Sequence, residues 1–217
     1  MFRNHTVLGR SFLALLIAML PMAAGAQIVF TWSEDASGVT MTTSGSIDTS
    51  ELTSTSCAVW GGYGHESGTT DIIGDTELSA PDACFAFSAG TDFSAWQTSN
   101  PFSGDFFGYD STSVTTPFYT YTLDSDNLPG LAVMASDLSG TTWTPSGGWV
   151  AAGQTLASMN LNAGTYTITD AATGASITFA IGVAAPAVPP QPVPALPLLG
   201  LLSLAGLLGV FGLRKLR

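Results

Sequence analysis

The stretch YTITDAATGASITFAI, residues 166–181, decides the fold of this chain. Apolar or aromatic side chains alternate with threonine or alanine on both sides of a short polar segment, in residues 166–169 and again in 177–181. A period of two is typical of strands that bury one face. The segment between them, residues 170–174, has hairpin length and ends in Gly174, a residue suited to positive φ. The stretch therefore predicts a β-hairpin.

The same alternation recurs in residues 39–41 and 119–123, and residues 27–185 hold 47 serines and threonines and 18 glycines. No stretch of residues 27–185 keeps helical periodicity for three turns, although 153–163 is ambiguous. Short strands with regular breaks predict a single antiparallel β-sandwich or jelly-roll-like domain, with a flattened barrel as the alternative. The expected breaks are residues 36–38, 100–101, 127–130 and 144–148.

Charge is distributed very unevenly over the 217 residues. All sixteen acidic residues lie between Glu34 and Asp170, and no Lys or Arg occurs between Ser11 and Leu213. Nucleic-acid binding needs basic side chains that neutralise phosphates, so we expect no nucleic-acid partner. The same absence argues against phosphoryl transfer and against a Schiff-base lysine.

The N-terminus, residues 1–26, has the pattern of a signal peptide. Two arginines precede an apolar run of nine residues, 12–20, and a proline follows. Ala24 and Ala26 are the small residues that a signal peptidase accepts. Cleavage between Ala26 and Gln27 is therefore expected, and an uncleaved membrane anchor is the alternative.

We assign the β-rich domain to residues 27–184. A second targeting segment follows it at the C-terminus. Residues 185–195 form a proline-rich spacer that suits neither a helix nor a central strand. Residues 196–213 carry no charge, and as a helix they would extend about 27 Å, near the ~30 Å of a bilayer core. The basic tail, residues 214–217, places the chain end in the cytoplasm and the acidic domain outside. A plain membrane anchor explains this apolar stretch equally well.

Val193-Pro194-Ala195-Leu196-Pro197 precedes the apolar span, and basic residues end the chain. With the signal peptide and the Ser/Thr/Gly-rich domain, this arrangement resembles the PEP-CTERM class of bacterial exoproteins. The family's usual motif is Pro-Glu-Pro, and this tail contains no Glu. The resemblance implies sorting by an exosortase-type membrane protease and a place at the cell surface or in the matrix, alongside exopolysaccharide. The sorting residues that it implies are Val193, Pro194, Pro197, Arg214, Lys215 and Arg217.

The two cysteines, Cys57 and Cys84, both lie in the exported domain. An even number of cysteines in an oxidising compartment predicts a disulfide. It would close a loop of about 28 residues and stabilise the domain by ~3–4 kcal/mol. His65 is the only histidine in the domain, and one His with two Cys at this spacing makes no zinc pattern.

Catalytic patterns are weak. His65 is the only candidate base for a Ser-His-Asp triad, and we expect it and Glu66 to face solvent on a Gly-rich loop. The sequence contains no G-x-S-x-G elbow. Paired carboxylates could serve glycoside hydrolysis without a sequence motif, so a secreted hydrolase is a distant alternative. We therefore expect that the protein is not an enzyme and that it holds no cofactor.

Calcium is the alternative ligand for so acidic a domain. Residues 124–127 begin like an EF-hand loop, but Leu128 and Pro129 break the pattern, and an ordinary turn is the favoured interpretation. Asp105 and Asp110 flank residues 106–109, where a strand that crosses between sheets is expected.

Five tryptophans, Trp32, Trp60, Trp96, Trp143 and Trp149, are either core residues or a stacking platform for sugars. The last two flank a Pro-Ser-Gly-Gly turn, so we expect at least one to be exposed. The sequence thus predicts an exported structural or interaction protein of the cell surface or extracellular matrix. A carbohydrate-binding module associated with exopolysaccharide is the alternative.

Overall fold

The computed structural model describes residues 26–57, 62–66, 72–76, 78–97, 101–103, 107–121 and 128–188. Within these ranges the chain forms fifteen strands, the short helix α1 and two single-turn 3-10 helices. The helix α1 is Ser94–Gln97, and the 3-10 helices are Thr49–Glu51 and Ala135–Asp137. In chain order the strands are β1 Gln27–Asp35, β2 Gly38–Asp48, β3 Thr53–Thr55, β4 Tyr63–Glu66, β5 Ile72–Asp75, β6 Ala83–Ala86, β7 Phe107–Gly108, β8 Ser111–Thr112, β9 Phe118–Tyr121, β10 Gly130–Val133, β11 Leu138–Ser139, β12 Thr142–Trp143, β13 Gly148–Ala152, β14 Gly164–Thr169 and β15 Ser176–Ile181.

Eight of the described strands form sheet I, in the order β11-β12-β2-β1-β15-β14. Strand β13 also pairs with β2, and β8 pairs with β13. Every pairing is antiparallel except that of β1 with β15, which is parallel over six residue pairs from Gln27–Ser176 to Trp32–Ile181. The expectation of a purely antiparallel sandwich is therefore wrong at this one pairing, where the first and last strands lie side by side and run in the same direction.

Sheet II contains the other seven described strands, in the order β3-β6-β10-β9-β5-β4-β7, all antiparallel. Side chains of the two sheets meet in one hydrophobic core. The rings of Phe30 on β1 and Phe118 on β9 stack with their centroids 5.2 Å apart. Trp149 on β13 stacks on the same Phe118 ring at 6.0 Å. The chain is thus mostly β, with two sheets that share a core as in a sandwich.

The hairpin predicted from residues 166–181 is confirmed. Strands β14 and β15 pair from Gly164–Ile181 to Thr169–Ser176. Gly174 in the connecting turn has a φ of 79°, which is why glycine suits that position. Asp170 is buried in this turn, and its Oδ1 atom accepts hydrogen bonds from the backbone N–H groups of Ala172 and Thr173.

Strand β9 differs from the expectation of a half-buried strand with threonine outside. All four of its residues are buried. Phe118 faces the main core, and so does Thr120 two residues later. Tyr119 and Tyr121 lie on the other face, where they form a second buried cluster with Cys84 and Ala132. The expected burial of the tyrosine face is therefore confirmed, whereas the expected exposure of Thr120 is wrong, because sheet II is covered on both faces at this strand.

The crossing expected between Asp105 and Asp110 is confirmed for its described part. Strand β7 pairs with β4 in sheet II, and β8 pairs with β13 in sheet I. Only Tyr109 and Asp110 separate these two strands, so the chain passes from one sheet to the other within two residues. Asp105 lies outside the described residues.

The edge strand β14 of sheet I is covered by α1. Trp96 of α1 is buried, and its indole N–H donates to the backbone carbonyl of Tyr166 at 3.4 Å. An open edge strand is a template for pairing with another chain. Trp96 closes the middle of this edge.

No helix in the described ranges has the length and apolar character that a membrane span requires. Residues 1–25 of the expected signal peptide (residues 1–26) and the expected spanning helix, residues 196–213, lie outside those ranges.

Candidate functional site

The predicted disulfide is confirmed. Cys57 follows β3, and Cys84 lies in β6, which pairs with β3. Their Cα atoms are 5.2 Å apart, within the usual disulfide range. Cys84 is buried, and its sulfur lies 3.7 Å from the hydroxyl oxygen of Tyr119. The bond therefore ties the chain after β3 to the second buried cluster.

The segment that the disulfide closes contains two strands that the sequence did not predict. Strands β4 and β5 pair from Tyr63–Asp75 to Glu66–Ile72. Strand β5 also pairs with β9, which places this hairpin inside sheet II. Glycine obscured the alternation, because Gly64 and Gly74 occupy the positions between the inward-facing residues.

The expectation that His65 faces solvent on a loop is wrong. The residue lies buried in β4 with 1% of its surface exposed. Its ring stacks on Phe102 and Phe107, with centroids 5.0 and 5.7 Å away. Its Nε2 atom is 2.9 Å from the backbone carbonyl of Met159, and its Nδ1 atom is 3.1 Å from the hydroxyl oxygen of Tyr109.

These contacts fix the tautomer of His65. A carbonyl can only accept, so Nε2 carries the proton and donates it to Met159. Nδ1 then accepts from the Tyr109 hydroxyl, whose oxygen in turn accepts from the indole N–H of Trp32 at 2.7 Å. Both nitrogens of the His65 imidazole, the indole nitrogen of Trp32 and the Tyr109 hydroxyl therefore each have a hydrogen-bond partner. The network joins β1 of sheet I, β4 of sheet II and the crossing segment between them.

Burial shifts both titrating groups of this network towards their neutral forms. Burial lowers the pKa of His65 to about 4, and the hydrogen bond to Met159 opposes that shift only in part. Burial also raises the pKa of the Tyr109 hydroxyl well above its ordinary value of 10, against a smaller effect of the Trp32 hydrogen bond. A neutral imidazole enclosed by rings on its faces serves here to connect the sheets.

Four of the five tryptophans, Trp32, Trp96, Trp143 and Trp149, are described, and all four are fully buried. The expectation that Trp143 or Trp149 would be exposed is wrong, because both rings pack against Phe118 in the core. Trp60 lies outside the described residues.

Asp75, which no sequence pattern singles out, is a carboxylate with 2% of its surface exposed. Its Oδ2 atom accepts hydrogen bonds from the indole N–H of Trp149, at 3.0 Å, and from the hydroxyl of Thr112. Asp75 lies in sheet II, and both donors lie in sheet I. Its inward position, in register with Phe118 on β9, becomes apparent only once the strand pairing is known.

No group of three metal-ligating side chains occurs within the part of the chain that the structure describes. Residues 124–127, for which an ordinary turn is expected and a calcium loop is the alternative, lie outside that part. Asp110 uses its Oδ2 atom to accept from the backbone N–H of Ala152 at 2.7 Å.

A groove of about 320 Å³ opens where β15 ends. On its rim the Oε2 atom of Glu34 accepts from the backbone N–H of Leu156 at 2.7 Å. The lining residues are Trp32, Ser33, Glu34, Leu156, Gly182, Val183 and Ala184.

The two ends of the domain differ in their surroundings. Ala26 is buried and belongs to the main core, and Gln27 begins β1. Residues 184–188, which include the start of the proline-rich spacer, form no strand or helix and are exposed or half-exposed. The remaining sorting residues lie outside the described ranges; they are Val193, Pro194, Pro197, Arg214, Lys215 and Arg217.

No protein-family model, no curated protein and no solved structure matches this chain.

Proposed function

We propose that this protein is an exported structural or interaction protein of the bacterial cell surface or extracellular matrix, delivered by a C-terminal sorting signal. In this proposal the leader, residues 1–26, is removed by signal peptidase. The apolar segment, residues 196–213, inserts as a helix with the basic tail in the cytoplasm. An exosortase-type protease then recognises Val193–Pro197 and releases the domain.

The disulfide between Cys57 and Cys84 is the observation that carries this proposal. Structural disulfides form and persist in oxidising compartments outside the cytoplasm. The bond joins Cys84 in β6 to the chain just after β3, the strand that pairs with β6, so it belongs to the fold. Its presence agrees with an N-terminal segment that reads as an export signal.

The inward orientation of the tryptophans supports a structural role over a carbohydrate-binding one. A sugar platform requires aromatic rings that lie open on a sheet face. The four described tryptophans are buried in the core instead. Exopolysaccharide thus remains a proposed neighbour of the protein, and the proposed fold is a jelly-roll-like sandwich with an acidic, Ser/Thr-rich surface.

The test compares the wild type with the double variant Pro194→Ala/Pro197→Ala in the bacterium. A second double variant, Pro189→Ala/Pro190→Ala, changes the spacer outside the motif and serves as the matched control. Blots of inner-membrane, surface and medium fractions use an antibody to the acidic domain.

We expect the wild type and the control to yield a shortened form outside the inner membrane, and the motif variant to stay at full length within it. If all three remain at full length in the inner membrane, the tail is only an anchor and the sorting proposal fails. Free thiols at Cys57 and Cys84 in the isolated protein would contradict export.

A further inference from the structure

The backbone carbonyl of Ala26 is held inside the folded domain. It accepts a hydrogen bond of 2.8 Å from the backbone N–H of Ser176, the first residue of β15. Ala26 has 8% of its surface exposed and packs in the main hydrophobic core. This carbonyl belongs to the peptide bond between Ala26 and Gln27.

The residue on the other side of that bond is enclosed as well. Gln27 pairs with Ser46 on β2 and with Ser176 on β15, so strands lie on both sides of it. Its carbonyl oxygen is approached so closely by β2 that a Cβ atom on Gly45 would lie 1.9 Å from it. The side-chain amide of Gln27 donates to the hydroxyl of Thr178 at 3.2 Å.

A protease needs the opposite arrangement. It binds its substrate as an extended chain with free backbone groups, and it stabilises the oxyanion that forms on the scissile carbonyl with donors of its own. The carbonyl of Ala26 already has a donor and lies below the surface. The bond becomes accessible only when the start of β1 separates from β15, which requires at least local unfolding.

The other end of the domain is open. After the last residue of β15, the backbone N–H of Gly182 donates to the carbonyl of Trp32 at 2.9 Å. Beyond Gly182 the described chain makes no further strand pairing, and Val183 is 40% exposed. A protease that acts on the chain beyond Val188 does not need to unfold the domain.

We propose that the fold sets the order of the two cuts: the leader is removed before β15 joins the sheet, and the tail can be removed after the domain has folded. This inference rests on the proposed function, specifically on cleavage after Ala26. Because β15 lies 150 residues downstream of Ala26, the bond stays open until nearly the whole domain has been exported, and the cut must be made before β15 pairs with β1. A precursor that folds first keeps its leader.

The test is an order-of-addition experiment on the full-length precursor with its disulfide formed. In one arm the urea-unfolded precursor is diluted directly into purified signal peptidase. In the other arm it refolds first, and the peptidase is added at the same final urea concentration. Mass spectrometry follows the appearance of a chain that begins at Gln27. We expect cleavage of the refolded precursor to be slower by at least about 100-fold, since the open form is rare in a folded domain.

Two variants assign the protection to the Ser176 contact. Ser176→Pro removes the N–H that holds Ala26 and places proline at the first residue of a strand, where it is tolerated. Ile181→Ala weakens the far end of the same strand and is the matched control. The two variants are compared under conditions in which their measured free energies of unfolding are equal. We then expect the refolded Ser176→Pro precursor to be cut after Ala26 at least about tenfold faster than the refolded Ile181→Ala precursor. Equal rates would show that the protection is not local and would overturn the assignment to Ser176.

A second experiment tests the C-terminal end of the domain. A proline-specific endopeptidase should cut the refolded and unfolded chains within residues 185–197 at rates that differ by less than about threefold. Equal cleavage after Ala26 in both arms of the first experiment, or protection of the tail here, would overturn the proposed order. Failure of signal peptidase to cut even the unfolded chain after Ala26 would overturn the export proposal, and this inference with it.

Discussion

The indole nitrogen of Trp32 lies 2.7 Å from the hydroxyl oxygen of Tyr109 and donates a hydrogen bond to it. Trp32 belongs to the first strand of sheet I, whereas Tyr109 lies on the segment that crosses from sheet II. The hydroxyl in turn donates a hydrogen bond to Nδ1 of His65, so one buried oxygen connects both sheets through hydrogen bonds. A neutral His65 is required for this arrangement, because its Nδ1 atom must accept.

Folding stability should therefore fall as the pH falls from about 6.5 to about 4. The unfolded chain binds a proton at the ordinary pKa of 6.5, whereas folding holds the pKa of His65 at about 4. The unfolded state binds more protons between these values, so the stabilisation is complete above pH 6.5 and is lost on acidification. The expected loss is about 3 kcal/mol, measured by urea unfolding at a series of pH values.

The His65→Gln variant is the control for this titration. It should be less stable than the wild type at pH 7, but its stability should change little between pH 6.5 and 5, which lies above the range where the carboxyl groups with lowered pKa values, Asp35, Asp48, Asp92 and Asp170, begin to titrate. The buried carboxylate of Asp170 titrates in a separate window. Burial raises its pKa, but the N–H donors of Ser88, Thr173 and Ala172 together outweigh that effect and keep the pKa below 3.8. Its contribution is therefore lost only at lower pH. An equal slope for both proteins between pH 6.5 and 4 would contradict the assignment to His65.

Replacing Tyr109 by phenylalanine should destabilise the domain by about 2–4 kcal/mol. The change removes one oxygen and leaves two buried groups, Trp32 Nε1 and His65 Nδ1, without a partner. Tyr166→Phe is the matched control, because the Tyr166 hydroxyl donates to the backbone carbonyls of Asn162 and Ala163, just before β14, at 3.0 and 3.4 Å. It should cost about 1 kcal/mol. Similar losses in denaturant unfolding for the two variants would show that the network contributes no more than one ordinary hydrogen bond.

Alanine at Gly45 should cost at least about 3 kcal/mol of unfolding free energy. Gly45 has a φ of 84°, and an added Cβ would lie 1.9 Å from the carbonyl oxygen of Gln27. Gly174→Ala separates backbone strain from this clash, since Gly174 has a φ of 79° and nothing within 4 Å of an added Cβ. That variant should cost about 1 kcal/mol. Equal costs in chemical denaturation would mean that β2 moves away freely.

Removing the disulfide with Cys57→Ala/Cys84→Ala should lower the free energy of unfolding by about 3–4 kcal/mol, because the open chain gains conformational entropy. Reduction of the wild type should have a comparable effect, while the double variant should not respond to reductant. Guanidinium unfolding with and without reductant measures both. A double variant within about 1 kcal/mol of the wild type would show that the second buried cluster holds this region without the bond.

Local patterns in the sequence predicted what local geometry determines. The hairpin of residues 166–181 is correct because its alternation and its turn lie within sixteen consecutive residues. The disulfide followed from cysteine number and compartment. The alternation along β9 correctly marks Tyr119 and Tyr121 as buried, but Thr120 is buried as well, since alternation alone does not show that a strand is covered on both faces.

The buried network could not be predicted for the same reason. His65 meets Tyr109 44 residues later and Met159 94 residues later, at positions that only the completed sheets bring together. Its glycine-rich surroundings suggested a solvated loop. The burial of Asp75 was hidden likewise, because a single carboxylate in a short strand resembles any surface aspartate until its partner strands are known.

The parallel pairing of β1 with β15 has a mechanical consequence. If the domain is held at its N-terminal end and pulled through the chain that leaves after Ile181, the two strands are drawn in opposite directions along their length. All six residue pairs between Gln27 and Trp32 then carry the tension together in shear. A hairpin pulled from its open end would instead peel apart one pair at a time. We expect single-molecule stretching between residues 27 and 182 to require a markedly higher rupture force than stretching between residues 164 and 181, which opens the β14–β15 hairpin.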